Sequence, residues 1–151
     1  MSGEAKLQLS LQIDKFDTTG LIPIVTFRSY PTQFTATVTG AKGPAPGAFA
    51  VSVHGTDVDF SELATPGLCR IYNQDPTNYV SYGIADPETD KFYPLGEILP
   101  GEFYLMRLSR LLGQEYAQAG TGTGTTGAVT NTMRFMADTA PCNVVVEAFE
   151  A

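Results

Sequence analysis

Apolar and polar residues alternate with a period of two along much of this chain. Leu7, Leu9, Leu11 and Ile13 are spaced by Gln8, Ser10 and Gln12, and Asp14 follows. That alternation sends one set of side chains to a buried face and the other to water, which predicts a half-buried strand. The segment 1–16 is read either as a strand of its own domain or as an N-terminal arm that exchanges onto a neighbour's sheet edge. Residues 17–151 are expected to form a single β-sandwich domain.

The same pattern recurs at short intervals. Ile24–Ser29 is rich in β-branched and aromatic residues, and Pro23 suits a strand start. Phe34, Ala36 and Val38 alternate with threonines, and Phe49, Val51 and Val53 with Ala50, Ser52 and His54. Leu68–Tyr72 and Tyr79–Ala85 flank the turn-rich Asn73-Gln74-Asp75-Pro76-Thr77. Phe103, Leu105 and Arg107 alternate with Tyr104, Met106 and Leu108 after the turn Leu99-Pro100-Gly101, so Glu102–Arg110 is read as a strand. A helical turn is expected across Leu111–Ala117, where helix formers dominate. Thr132–Ala137 and Asn143–Phe149 close the chain. Short strands separated by turn chemistry predict an all-β fold, an antiparallel β-sandwich or jelly roll of about 8–10 strands.

Glycine and proline locate the connections. Gly40–Gly47 (GAKGPAPG) reads as a loop, because Pro44 and Pro46 lack donors and the glycines free the backbone. Gly120–Gly127 (GTGTGTTG) carries no large apolar side chain and reads as an exposed, flexible loop.

Composition narrows the function classes. The 151 residues carry 9 Lys plus Arg against 16 Asp plus Glu, a net charge of −7, which argues against phosphate-backbone binding. Charged residues make up 17% of the chain, where about 25% is usual. No run of 18 apolar residues occurs, so no membrane span is expected, and the first residues lack the charged and apolar regions of a signal peptide. Cys69 and Cys142 each sit in a hydrophobic run and read as reduced, buried thiols, without the spacing of a zinc site.

Each candidate chemistry meets a plainer reading. His54, the one histidine, ends an apparent strand beside Gly55, and no Gly-x-Ser-x-Gly elbow accompanies it. A small hydrolase built on His54 and an acidic partner is the weakest alternative. The 120–127 run lacks the lysine of a phosphate loop. Asp86-Pro87-Glu88-Thr89-Asp90 reads as a turn rather than a calcium loop, since Lys91 stands where that loop needs glycine. Asp57 and Asp59 form an ordinary strand-edge pair. No catalytic residue, cofactor or metal is therefore expected. Tyr72, Tyr79, Tyr82, Phe92 and Tyr93 are interleaved with polar residues in a region that also holds Asn73, Asp75 and Asn78; half or more are expected in the core, and Tyr72, Tyr79 and Tyr82 are the candidates for a protein interface or a carbohydrate-binding face. Leu7, Leu9, Leu11 and Ile13 are the other interface candidates.

Four segments carry a family resemblance. They are Ile71-Tyr72-Asn73-Gln74-Asp75-Pro76-Thr77-Asn78-Tyr79-Val80, Phe92-Tyr93-Pro94-Leu95, Leu99-Pro100-Gly101-Glu102-Phe103, and Ala140-Pro141-Cys142-Asn143-Val144-Val145-Val146-Glu147. Over residues 68–151 the series resembles small β-sandwich structural proteins of tailed-bacteriophage virions, and the 120–127 segment departs from it. The resemblance implies a non-enzymatic capsid decoration (cement) protein, a homotrimer bound to the major capsid protein on the virion surface. It would be made in the host cytoplasm without a signal peptide. A neck, head-fibre or tail protein that binds a receptor or carbohydrate is the alternative. Neither nucleic acid nor membrane is an expected partner.

Overall fold

Strands form wherever the alternation is sustained. A computed structural model describes residues 3–10, 12–16, 19–20, 23–29, 32–38, 44–86, 89–109 and 132–150, and among them finds twelve strands and no helix. The expected helical turn at 111–117 and the 120–127 loop lie outside the described residues. The chain divides into two units, Ser2–Val38 and Thr39–Ala151, so residue 16 falls inside the smaller one.

The smaller unit is built from antiparallel pairs. β1 (Gly3–Leu9) and β2 (Gln12–Phe16) run out, and β3 (Pro23–Arg28) and β4 (Thr32–Val38) run back. β1 pairs with β4 and β2 with β3. The single strand expected over residues 7–13 falls in two strands, one ending at Leu9 and the next beginning at Gln12. The register sets apolar residues opposite one another, Ala5 to Ala36, Leu7 to Phe34 and Ile13 to Phe27. Polar residues likewise meet polar ones, Lys6 to Thr35, Gln8 to Gln33 and Asp14 to Thr26.

The larger unit holds β5 (Ala45–Val51), β6 (Thr56–Asp59), β7 (Pro66–Asn73), β8 (Val80–Ala85), β9 (Phe92–Ile98), β10 (Phe103–Arg107), β11 (Thr132–Ala137) and β12 (Cys142–Glu150). Two four-stranded antiparallel sheets result, ordered β10-β7-β12-β5 and β6-β11-β8-β9. The first strand of the eight pairs with the last, β5 with β12. Inside it β6 pairs with β11, β7 with β10 and β8 with β9. That nesting is one long hairpin rolled so that successive pairs alternate between two sheets. It is jelly-roll topology.

Gly40–Gly47 was expected to be a loop throughout, yet Ala45, Pro46 and Gly47 belong to β5. The reason is position. β5 is an edge strand, and an edge tolerates a residue that cannot donate to a ladder on its open side.

Alternate residues of both sheets point inward and form one core. Cys69, Ile71, Val144 and Val146 from one sheet meet Val58, Val80, Ile98 and Phe135 from the other. Phe49 and Phe135 touch edge-to-face at 5.8 Å. Phe60 and Leu63, in the turn after β6, are fully buried and close one end.

Both cysteines are free and buried. Cys69 stands opposite Ala148, six positions along β12 from Cys142, so the two are about 20 Å apart, beyond bridging distance. Burial, and secondarily Glu147, pushes the Cys69 thiol up to about 12.

Candidate functional site

The inward residues are used up by the core, so function falls to the outward ones. On β7 the outward residues are Leu68, Arg70 and Tyr72, alternating with buried Cys69, Ile71 and Asn73. The register places Phe103 opposite Tyr72, Leu105 opposite Arg70 and Arg107 opposite Leu68. From β12, Val145 and Glu147 stand beside Tyr72 and Arg70. Exposed Pro46, Ala48 and Ala50 of β5 complete the row. This outer face is therefore largely apolar.

Its centre is ordered rather than loose. Arg70 Nη1 donates to Glu147 Oε2 at 2.7 Å, and its guanidinium lies 5.3 Å from the Tyr72 ring centre and 5.7 Å from that of Phe103. Aromatic contact and the carboxylate together hold a flat cation against the sheet. Phe103 remains 64% exposed. Arginine and large aromatics at the middle of an apolar patch are the residue types that dominate protein interfaces.

The outer face of β6-β11-β8-β9 is different in kind. Arg134 grips Asp57 with two parallel bonds, Nε to Oδ1 at 2.7 Å and Nη2 to Oδ2 at 2.8 Å, while Nη1 donates to Asp90. That guanidinium holds the Asp57 carboxyl below its ordinary range. Asp59 accepts from the Ser61 amide and hydroxyl. The acidic residues marked in the sequence as ordinary strand-edge and turn groups are occupied in that way here. Asp86 likewise accepts from the Thr89 hydroxyl at 2.6 Å, closing its turn.

The Tyr/Asn/Asp stretch holds loops together. Asn73 is fully buried, and its amide donates to the carbonyls of Asn78 and Ile98 at 2.8 and 3.2 Å. Its Oδ1 accepts from the Asp75 amide, and its backbone N–H and C=O pair with Glu102 and Gly101. Asp75 Oδ1 takes the amides of Thr77 and Asn78. The turn at 99–102 that Asn73 supports has Gly101 at φ 72°, a conformation that glycine adopts without strain.

The candidate residues thus separate. Tyr72 lies on the apolar outer face. Tyr79 is half-buried at the end of the loop, its phenol shifted up chiefly by the Asp138 charge. Tyr82 points inward at 7% exposure, stacked on Tyr104 at 5.4 Å, and covers Gly96, where a Cβ would meet its hydroxyl at 2.6 Å and its ring at 2.9 Å. It offers no stacking face to a ligand. Ile13 is 44% exposed opposite Phe27 at 52%. Leu7 and Leu9 are placed by register on β1, opposite Phe34 and Thr32, and Leu11 lies outside the described residues.

Phe103 and Leu105 are the functional candidates the sequence reading passed over. Their signal was present, since a strand apolar on both faces has an outer face to cover.

His54 is exposed on the tight turn 52–55, its N–H donating to Ser52 Oγ at 3.2 Å. Among the described residues, no group of three or more His, Cys, Asp or Glu is placed to hold a metal. Comparison of the chain with protein-family models, curated proteins and solved structures gave no match.

Proposed function

We propose that this chain is a non-enzymatic structural protein of a tailed-bacteriophage virion, a decoration protein that binds the major capsid protein lattice as a small homo-oligomer. One observation carries the reading: the outer face of β10-β7-β12-β5 is largely apolar, with Tyr72 and exposed Phe103 gathered around Arg70. The other sheet carries the Arg134–Asp57–Asp90 cluster, whose charges are satisfied within the chain, beside exposed Ile84, Tyr93 and Leu95. A module built this way holds to a surface through Phe103 and the apolar residues around it. Jelly rolls include viral capsid domains, a likeness of fold that supports the reading by analogy. The net charge of −7 suits a particle exterior that does not adhere to DNA.

The carbohydrate-binding alternative is read on the Tyr/Asn/Asp stretch 72–82 and on the 120–127 segment, which lies outside the described residues. Within the stretch, Tyr82 is buried and Asn73, Asp75 and Asn78 are engaged in loop hydrogen bonds, which leaves Tyr72 and Tyr79 as its accessible aromatics.

Co-sedimentation with expanded capsids of the encoding phage tests the proposal. Saturable binding by the wild type, weakened by Phe103→Asp, is the expected result. Failure of the folded protein to bind, or equal binding by both proteins, overturns it.

A further inference from the structure

The larger unit has four sheet edges, formed by β5 and β10 on one sheet and β6 and β9 on the other. An open edge presents unpaired amides and carbonyls, and proteins blunt such edges with proline, charge, bulges or short length. Three of the four are blunted. β5 contains Pro46 and β9 contains Pro94 beside a register shift, while β6 has four residues, among them Asp57 and Asp59. β10, Phe-Tyr-Leu-Met-Arg, is five residues long and charged only at its Arg107 end; it has no proline, glycine or bulge, and among the described residues only β7 pairs with it.

The direction of its free groups follows from the bonds it makes. The Leu108 amide donates to the Gly67 carbonyl at 2.8 Å, and the Asn73 amide donates to the Glu102 carbonyl at 2.9 Å. Even-numbered residues of the strand therefore bond to β7. The amides and carbonyls of Phe103, Leu105 and Arg107 point away from the sheet.

We propose that β10 pairs antiparallel with β10 of a second copy of this chain, about a two-fold axis through Leu105. The occupant is argued from self-complementarity. In this register Leu105 meets Leu105 of the second copy, and Phe103 meets Arg107 of the second copy, an aromatic ring against a cation. Tyr104 meets Met106, a ring against a polarizable sulfur. Every outward backbone group finds a partner, about six hydrogen bonds in all. No like charges face each other, and the two apolar outer faces become one continuous surface.

A five-residue edge is smaller than a standard interface, so the contact responds to concentration, and binding side by side on a lattice supplies that concentration. The two-fold contact leaves other surfaces free for a three-fold assembly, and it does not depend on the capsid reading.

Sedimentation velocity over a concentration series tests the pairing. The wild type is expected to gain a two-fold association step. Leu105→Lys, which sets two cations across the axis, is expected to weaken it at least about tenfold. Leu105→Pro is expected to do the same, because it deletes an outward donor without touching the β7 ladder. Under oxidation, Leu105→Cys is expected to cross-link copies, and Arg107→Cys is not. Phe103→Asp keeps the pairing, its carboxylate facing Arg107 of the second copy, so loss of capsid binding and loss of pairing are separable. Absence of a two-fold step in the wild type, an unchanged step in both Leu105→Lys and Leu105→Pro, or cross-linking through position 107 in place of 105 would each overturn the proposal.

Discussion

The two outer faces of the jelly roll have the same architecture and differ in what surrounds their central arginines. On β6-β11-β8-β9, Arg134 bonds to Asp57 and Asp90, and the charges are answered within the chain. On β10-β7-β12-β5, the Arg70–Glu147 pair sits in an apolar surround with Phe103 uncovered. Both faces carry a central arginine bonded to a carboxylate, so an ion pair alone does not distinguish a solvent face from a docking face. The neighbours do. Asp57 and Asp90 engage all three Arg134 nitrogens in intramolecular bonds, whereas Tyr72 and Phe103 line Arg70 with surface that water does not solvate well.

Substitutions can break or sharpen this contrast. The largest effect is expected at Asn73, which ties the loops at one end of both sheets. Asn73→Ala strands buried carbonyls and an amide, and is expected to cost about 3 kcal/mol, summing the loss over several unsatisfied groups. Urea unfolding followed by tyrosine fluorescence measures it, since the chain has no tryptophan. Next in size, Phe103→Asp on the apolar face is expected to leave folding nearly unchanged while weakening capsid binding by about 2 kcal/mol, roughly thirtyfold. Titrated co-sedimentation gives that number, and equal losses of stability and binding would erase the distinction between the faces.

Arg134→Ala on the polar face is expected to do the reverse, lowering stability by about 1 kcal/mol and leaving capsid binding intact. The pair is partly exposed and water screens it, hence the modest figure. Its pH dependence follows from Asp57, whose folded-state pKa is depressed by Arg134. A depressed carboxyl contributes stability above its unfolded value of about 3.9 and loses it as pH falls through the lower folded value. The gap between wild type and Arg134→Ala is therefore full at neutral pH and closes in acid, as urea titrations across that range would register. Smallest of all is the response of the cysteines. With Cys69 pushed up to about 12 and Cys142 also raised by burial, native protein should resist thiol labelling until it unfolds, whichever face is altered.

Much of the fold was legible because alternation is a local property. The runs through Phe34–Val38, Leu68–Tyr72 and Thr132–Ala137 each name a strand that exists. Features set by neighbours were less readable. Pro46 and Gly47 look like a loop until β5 is known to lie at an edge. Tyr82 and Tyr72 are indistinguishable in sequence, yet one covers Gly96 inside and the other lies under Arg70 outside. Asn73, Asp75 and Asn78 suggested a polar binding surface because their types were visible and their partners were not. The contrast between the outer faces depends on cross-strand register, which joins Arg70 to Glu147 over 77 positions and Arg134 to Asp57 over another 77.

The nested pairing also governs how the protein comes into being. Of the four hairpin pairs only β8 and β9 are near neighbours in sequence, while β5 waits for β12, the last of the eight strands to be synthesised. Because β12 lies between β7 and β5, one sheet lacks an interior strand until translation reaches residue 142. Such long-range pairing makes for slow folding, in milliseconds to seconds for topologies of this kind, with edges bare in the meantime. Prolines on β5 and β9 therefore protect the nascent chain as well as the finished one, and the side of β7 that awaits β12 is where a half-made copy is most exposed to its siblings.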